Sequence, residues 1–110
     1  MLLAVLALAL LASGCGGDKI AGGDTDGARI FAEACSRCHG SSGTPPPSMV
    51  AQYGVPDLRR PDFHKNNDLA KIRERIANGS NRKGMPAFAT ALSAAQLDSV
   101  AAHVQSFGGN

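Results

Sequence analysis

The segment Cys35-Ser36-Arg37-Cys38-His39 holds two cysteines three positions apart, followed directly by a histidine. In a helical segment the two thiols lie about one turn apart, where each can add to one vinyl group of a porphyrin. The adjacent imidazole is then carried beneath the ring, where it can bind the iron. This spacing is the attachment signature of c-type haem. It predicts one covalently attached haem c, with Cys35 and Cys38 as the linkages and His39 as an axial iron ligand.

A C-x-x-C pair also occurs in redox disulfides and in zinc sites. No βαβ pattern surrounds this pair, as a thioredoxin-like disulfide would require. Zinc needs about four ligands, and the other histidines, His64 and His103, have no second paired spacing. We therefore favour haem over both. His64 lies in a polar stretch and is expected to face solvent, whereas His103 is expected to pack within a helix.

The second axial ligand is expected to be Met85. Apart from Met1, the chain has two methionines, Met49 and Met85. Pro86 stiffens the loop that would present the Met85 thioether. Met49 follows rigid prolines close after the C-x-x-C-H motif, and the two remaining histidines are the nitrogen alternatives. A histidine and a methionine together are a known ligand pair for haem c iron, which favours Met85.

Apolar residues recur at helical spacing in three segments, residues 26–35, 68–77 and 94–107. Asn67 is expected to cap the second helix, and Gly79 to end it with a left-handed residue. Ser93 and Gln96 form a capping-box signature before the third. Residues 40–66 contain five of the six prolines and read as a long extended loop. Such a loop is expected in a compact domain only where it wraps something.

The chain has 110 residues and a net charge of +2, which fits one small domain and gives no indication of a nucleic-acid partner. From Cys15 onward, only 19 large apolar side chains remain to build a core. Strand-forming residues are sparse and alanine is plentiful, so an all-β domain is not expected. A core this small is often completed by a cofactor, and a buried porphyrin would supply much of the missing apolar volume.

The first twelve residues are all apolar, too few to span a bilayer but typical of a signal peptide. Small residues before Cys15 resemble the lipobox of bacterial lipoproteins, in which the cysteine is lipidated. We therefore predict a lipoprotein-type signal over residues 1–14, a flexible tether over 15–23 and a folded domain over 24–110. The alternative is an ordinary cleaved signal. The mature protein is expected on the periplasmic side of a bacterial membrane, lipid-anchored through Cys15 or exported and soluble.

Three further sequence motifs follow C-x-x-C-H along the chain: Pro56-Asp57-Leu58, Asn78-Gly79 and Gly84-Met85-Pro86-Ala87-Phe88. Together with the last predicted helix, they resemble the class I c-type cytochromes over about residues 24–107. The resemblance implies an all-α fold of three main helices around one haem, with the first and last helices crossing. It also implies that a proline carbonyl accepts a hydrogen bond from His39. Pro56 is the best match, and Pro45 to Pro47 compete with it.

The chain departs from the family at His103, where the last helix usually places an aromatic residue against the first. The packing of Gly27 and Phe31 against the last helix is expected to depend on this position. The departure leaves the haem assignment untouched.

A haem with both axial positions filled has no open site for a substrate. We therefore expect a monomeric single-haem electron carrier, not an enzyme, that exchanges electrons with donor and acceptor redox proteins. The alternatives are a cytochrome subunit of a larger oxidoreductase, or a sensor or peroxidase if Met85 is labile. Residues 59–83 contain eight basic and three acidic residues. This asymmetry predicts a partner with an acidic docking surface, unless the segment is merely a solvated face.

Overall fold

The computed structural model describes residues 19–109, so the predicted signal peptide and Cys15 lie outside the described residues. The described part is helical and contains no β-sheet, which confirms the predicted all-α fold. Its α-helices, in chain order, are α1 (Gly27–Ala34), α2 (Ser36–His39), α3 (Pro47–Tyr53), α4 (Pro61–Asn66), α5 (Leu69–Asn78) and α6 (Ala94–Ser106). Within residues 19–109, no helix combines the length and apolar character needed to cross a membrane.

The three helices predicted from periodicity are α1, α5 and α6. Ser93 and Gln96 form the predicted capping box, with backbone-to-side-chain distances of 3.0 and 3.1 Å. The predicted cap of α5 was wrong by one residue, because Asp68 accepts the hydrogen bond from the Lys71 N–H at 2.9 Å. Asn67 instead donates its side-chain amide to the Phe63 carbonyl at 2.9 Å, and so belongs to the end of α4.

The connection between residues 40 and 66 contains two short helices, α3 and α4, where an extended loop was expected. Each begins with a proline in its first turn, Pro47 in α3 and Pro61 in α4. The first turn of a helix has no intrahelical acceptor for its N–H groups, so a proline is well suited to that position. Pro46 does have the expected extended backbone, with φ −61° and ψ 147°.

The predicted tether was too long at its C-terminal end. Ile20–Gly23 form a 3₁₀ turn, and Ala21 within it is fully buried. The buried side chain of Gln96 fastens this turn to α6, because its amide donates to the carbonyls of Ile20 and Asp24 at 3.0 and 2.9 Å. The folded part of the chain therefore begins by Ile20 and not at residue 24.

Helix α6 packs against both α1 and α5. At the contact with α1, the Gly27 backbone lies so close to α6 that a Cβ there would overlap the Ser99 carbonyl. The ring centroids of Phe31 and His103 are 5.4 Å apart, and those of Phe31 and Phe107 are 5.2 Å apart. His103 thus occupies the place of the aromatic residue expected in this family, and the two helices pack closely.

The buried apolar core is small, as the composition predicted. Its members come chiefly from α1, α5 and α6, together with Leu58 and Leu92 from the connections. They are Ala21, Ile30, Phe31, Leu58, Ile72, Ile76, Leu92, Leu97, Val100, Ala101 and Val104.

Candidate haem-binding site

The C-x-x-C-H motif folds as the junction between two helices. Cys35 ends α1, where its N–H donates to the Phe31 carbonyl at 2.9 Å. In the next turn, α2, the N–H groups of Cys38 and His39 donate hydrogen bonds to the Cys35 carbonyl, at 3.2 and 3.0 Å. Both cysteines are half-buried free thiols. The motif therefore places two thiols and an imidazole within one helical turn.

Burial raises the pKa of the Cys35 thiol to about 11, and the neighbouring Cys38 adds to the shift. Reactive and metal-binding cysteines are instead distinguished by a lowered pKa. At neutral pH, Cys35 therefore carries its proton. Residues 19–109 also contain no cluster of three histidine, cysteine or carboxylate side chains that could hold a metal ion. Among the described residues, the two cysteines therefore lack the further ligands that a zinc site would need.

His39 is half-buried, and burial lowers the pKa of its imidazole. The neutral ring keeps a lone pair that can bind iron. Its Nδ1 atom is buried, with no hydrogen-bond partner among residues 19–109. A buried polar atom left unpaired costs about 1–3 kcal/mol. A histidine that binds a metal through one nitrogen usually donates from the other to a carbonyl or carboxylate. The ring is therefore suited to an axial role.

Two proline-containing segments approach the turn that follows His39. Thr44 folds back so closely on Gly40 that a Cβ there would overlap the Thr44 carbonyl, and Pro45 follows directly. The Leu58 N–H donates to the Gly43 carbonyl at 2.9 Å, which brings Pro56 beside the same turn. Pro45 is buried and Pro56 is exposed. Neither carbonyl is hydrogen-bonded to the His39 Nδ1 atom. Both prolines therefore stay candidates for the acceptor of a hydrogen bond from His39.

Met85 is held by a tightly closed loop. The N–H of Ser80 donates to the Met85 carbonyl at 2.9 Å, and the Met85 N–H donates back at 3.0 Å. Gly79 has a φ of +67°, and a Cβ there would lie 2.5 Å from the Met85 carbonyl oxygen, so glycine is required. The Phe88 N–H then donates to the Ile76 carbonyl at 3.0 Å. This loop, residues 80–85, leaves Met85 half-buried against the core.

The alternative ligands lie in different surroundings. Met49 is half-buried on α3 and is not among the residues that pack against the core. His103 packs between aromatic rings at the contact of α1 with α6. The prediction that His64 faces solvent was wrong. It is half-buried in α4, with its Nε2 atom 2.6 Å from the Leu58 carbonyl oxygen and its ring against Gly108.

An open groove of about 550 Å³ runs along the connection that carries both candidate prolines. Val50, Val55 and Phe63 supply its apolar lining, and Arg60 and Asp62 supply charge. Val50, Val55 and Phe63 were not among the predicted site residues, whereas Arg60 and Asp62 belong to the 59–83 segment predicted to dock a partner. Pro61, at the start of a short amphipathic segment, was the available signal for the helix that carries Phe63.

Residues 23–104 match the family described as Cytochrome C oxidase, cbb3-type, subunit III. The chain is 34% identical over 105 residues to Cytochrome c6 of Synechococcus sp. (strain ATCC 27167 / PCC 6312), covering 94% of this chain and 88% of that one. It is 37% identical over 84 residues to Cbb3-type cytochrome c oxidase subunit FixP of Bradyrhizobium sp. (strain ORS 278), covering 76% of this chain. The match spans only 27% of the length of FixP.

Among solved structures, the fold is similar to that of the KustC0563 c-type cytochrome. The TM-score is 0.68 at 22% sequence identity, covering 74% of this chain and 96% of that one. A point mutant of the same cytochrome gives a TM-score of 0.67 at 23% identity, covering 74% of this chain and 98% of the mutant. These similarities concern the fold.

The family match and the cytochrome c6 relative cover the same region that the motifs singled out, and the solved cytochromes share its fold. The resemblance drawn from the sequence is thereby confirmed. The chain belongs to the class I c-type cytochromes, electron carriers whose cofactor is covalently bound haem c.

Proposed function

We propose that this protein is a single-haem electron carrier in which Cys35 and Cys38 form the thioether links and His39 and Met85 are the axial ligands. The observation that carries the proposal is the His39 ring, whose neutral, half-buried imidazole has an unpartnered Nδ1 atom beside two free thiols. The closed 80–85 loop provides a half-buried thioether as the second ligand.

When bound, haem c supplies a reversible one-electron iron couple. His39 and Met85 would hold its iron as the two protein ligands, which would leave no position for a substrate. The chemistry that the haem would supply here is electron transfer to a docked partner, without bond making or breaking. A thioether ligand raises the reduction potential above that of a site with two histidines. This chain is accordingly suited to accepting and passing on electrons at a relatively high potential.

We further propose that the Pro56 carbonyl accepts the hydrogen bond from the His39 Nδ1–H. Such a bond fixes the ring orientation and raises the basicity of the ligating nitrogen. The support is the hydrogen bond that holds Leu58 against Gly43, which brings the Pro56 segment to the turn that follows His39. Pro45 is the competing acceptor, because it is buried at the same turn.

The proposed location is the periplasmic side of a bacterial membrane, with the chain anchored by a lipid on Cys15. Since the folded part begins by Ile20, only residues 16–19 separate the proposed anchor from the fold. Five residue steps span at most about 17 Å. A lipid on Cys15 would therefore keep the cytochrome domain close to the membrane surface, near membrane-bound redox partners.

The proposed partner carries an acidic docking surface. Arg82 and Lys83 are exposed within the 80–85 loop that presents Met85. Among residues 19–109, neither takes part in an ion pair, whereas Arg60 and Arg73 pair with Asp62 and Asp98. Unpaired cations beside the Met85 ligand can steer an acidic partner to that side of the haem.

A second candidate function is that of a cytochrome subunit in a larger oxidase complex. It is favoured by the family match over residues 23–104 and by the similarity to subunit FixP. In that case the electron acceptor is a subunit of the same complex. Co-purification of the chain with a stable membrane complex would support this function over that of a free carrier.

Carbon monoxide binding to the reduced protein at neutral pH tests the ligand assignment. We expect no binding by the wild type, because Met85 fills the sixth position. Met85→Ala should bind carbon monoxide, and the matched variant Met49→Ala should not. Binding by Met49→Ala alone would assign the thioether to Met49. Binding by the wild type would mean that Met85 is labile, as in a sensor or peroxidase.

A further inference from the structure

Helix α3 makes a contact with the Met85 loop that the electron-carrier function does not explain. The Tyr53 ring lies against Gly84, and a Cβ on Gly84 would be 3.0 Å from Tyr53 Cδ1 and 3.1 Å from Cε1. On the next residue, Gly54, a Cβ would be 3.0 Å from Lys83 Nζ. The last turn of α3 thus packs against the tip of the 80–85 loop.

The base and the tip of this loop are held by different groups. At the base, the two hydrogen bonds between Ser80 and Met85 close the loop. At the tip, Gly84 has a φ of +70° and is exposed apart from the Tyr53 contact. Tyr53 itself is 39% exposed and contributes little to the core. Its contact with Gly84 is therefore local to the loop.

We propose that Tyr53 is a positioning residue that keeps the 80–85 loop closed and thereby keeps the Met85 thioether at the iron. The inference rests on the proposed role of Met85 as the axial ligand. Helix α3 then links the proline-rich connection to the 80–85 loop that carries Met85.

The physical argument concerns the cost of opening the loop. When the thioether of Met85 leaves the iron by opening of residues 80–85, the tip of the loop separates from the Tyr53 ring. This separation exposes the apolar ring face and the Gly84 backbone to water. The hydroxyl of Tyr53 contributes little, because its hydrogen bond is with the neighbouring Gln52 amide at 3.1 Å. The ring, and not the hydroxyl, should therefore keep the loop closed.

Imidazole binding to the oxidised haem protein measures the opening directly. Imidazole can bind iron only when Met85 has left, so its apparent affinity is proportional to the open fraction. We expect Tyr53→Ala to raise that affinity about tenfold, equivalent to about 1.4 kcal/mol. Tyr53→Phe should stay within about twofold of the wild type, because it keeps the ring. Val50→Ala is the matched control, since Val50 is exposed one turn earlier on the same helix.

A second readout, amide hydrogen exchange, does not depend on imidazole binding. The Met85 amide hydrogen, bonded to the Ser80 carbonyl, should exchange with solvent faster in Tyr53→Ala, while the Ile30 amide in the core should not. Wild-type imidazole affinity in Tyr53→Ala would overturn the proposal, as would equal acceleration at both amides. If Met85→Ala binds imidazole no better than the wild type, the ligand assignment fails instead. The amide comparison then still decides whether Tyr53 holds the loop.

Discussion

At His39, burial has two effects that point to the same role. It lowers the pKa of the imidazole, so the ring is neutral at physiological pH. It also leaves the Nδ1 atom without a partner among residues 19–109. A core histidine with a purely structural role normally satisfies both nitrogens. The unpaired atom therefore supports the proposed role of His39 as an iron ligand.

The two cysteines can be tested singly and together. We expect Cys35→Ser combined with Cys38→Ser to abolish covalent haem, which denaturing electrophoresis with haem staining will show. Each single variant keeps one thiol and should retain a haem adduct by intact mass. Because the buried core is small, the double variant should also lose helical circular dichroism, since a bound group can supply folding free energy. A well-folded double variant without haem would contradict the last expectation.

The candidate site residues that a sequence can reveal are those linked by local spacing. The C-x-x-C-H motif depends on a single helical turn, and Met85 stands beside its own stiffening proline. The surroundings of His64 were mispredicted because its contacts, Leu58 and Gly108, come from other parts of the chain. Whether Pro45 or Pro56 accepts the hydrogen bond from His39 likewise depends on tertiary structure, because both segments fold back to the same turn.

At the level of elements, periodicity and capping predicted the three helices that build the core, within one or two residues at each end. The helices that were missed, α3 and α4, are too short for periodicity to be visible. Their prolines were interpreted as extended backbone, although a proline in a first helical turn has the same φ. The 3₁₀ turn at Ile20–Gly23 was missed because Gln96, which fastens it, lies more than 70 residues away in the chain.

The contact of α1 with α6 shows how a departure from a family pattern is accommodated. His103 stands where an aromatic side chain was expected, and its ring centroid is 4.9 Å from that of Phe107. Phe107 also has the Arg59 guanidinium over its ring, 5.8 Å from the centroid. Histidine therefore serves as an aromatic ring in this cluster, and Gly27 still allows close backbone approach.

Over the whole molecule, charge is unevenly distributed although the net charge is only +2. The excess of basic residues lies between residues 59 and 83, and part of it is paired within the fold. Pairs between exposed charges contribute little to stability. Arg82 and Lys83, which form no ion pair within residues 19–109, are therefore more informative about partners than about folding.

Replacing Arg82 and Lys83 with glutamate tests the docking proposal. With the native redox partner, the charge-reversed variant should associate about tenfold or more slowly at low salt, the range in which electrostatic steering acts. The difference should shrink as ionic strength rises, because the Debye length falls. Matched replacement of Arg29, which is paired with Asp24 and Glu33, should have a smaller effect. Rates that depend on neither salt nor these two residues would exclude a role in docking.

We propose that this chain carries electrons on a haem ligated by His39 and Met85, and a redox titration of the wild type beside Met85→His tests this ligation most directly. Imidazole stabilises ferric iron relative to a thioether. We therefore predict that Met85→His stays low-spin and six-coordinate while its midpoint potential falls by on the order of a hundred millivolts or more, within the roughly 0.8 V that axial ligands control. An unchanged potential in Met85→His would contradict ligation of the iron by Met85.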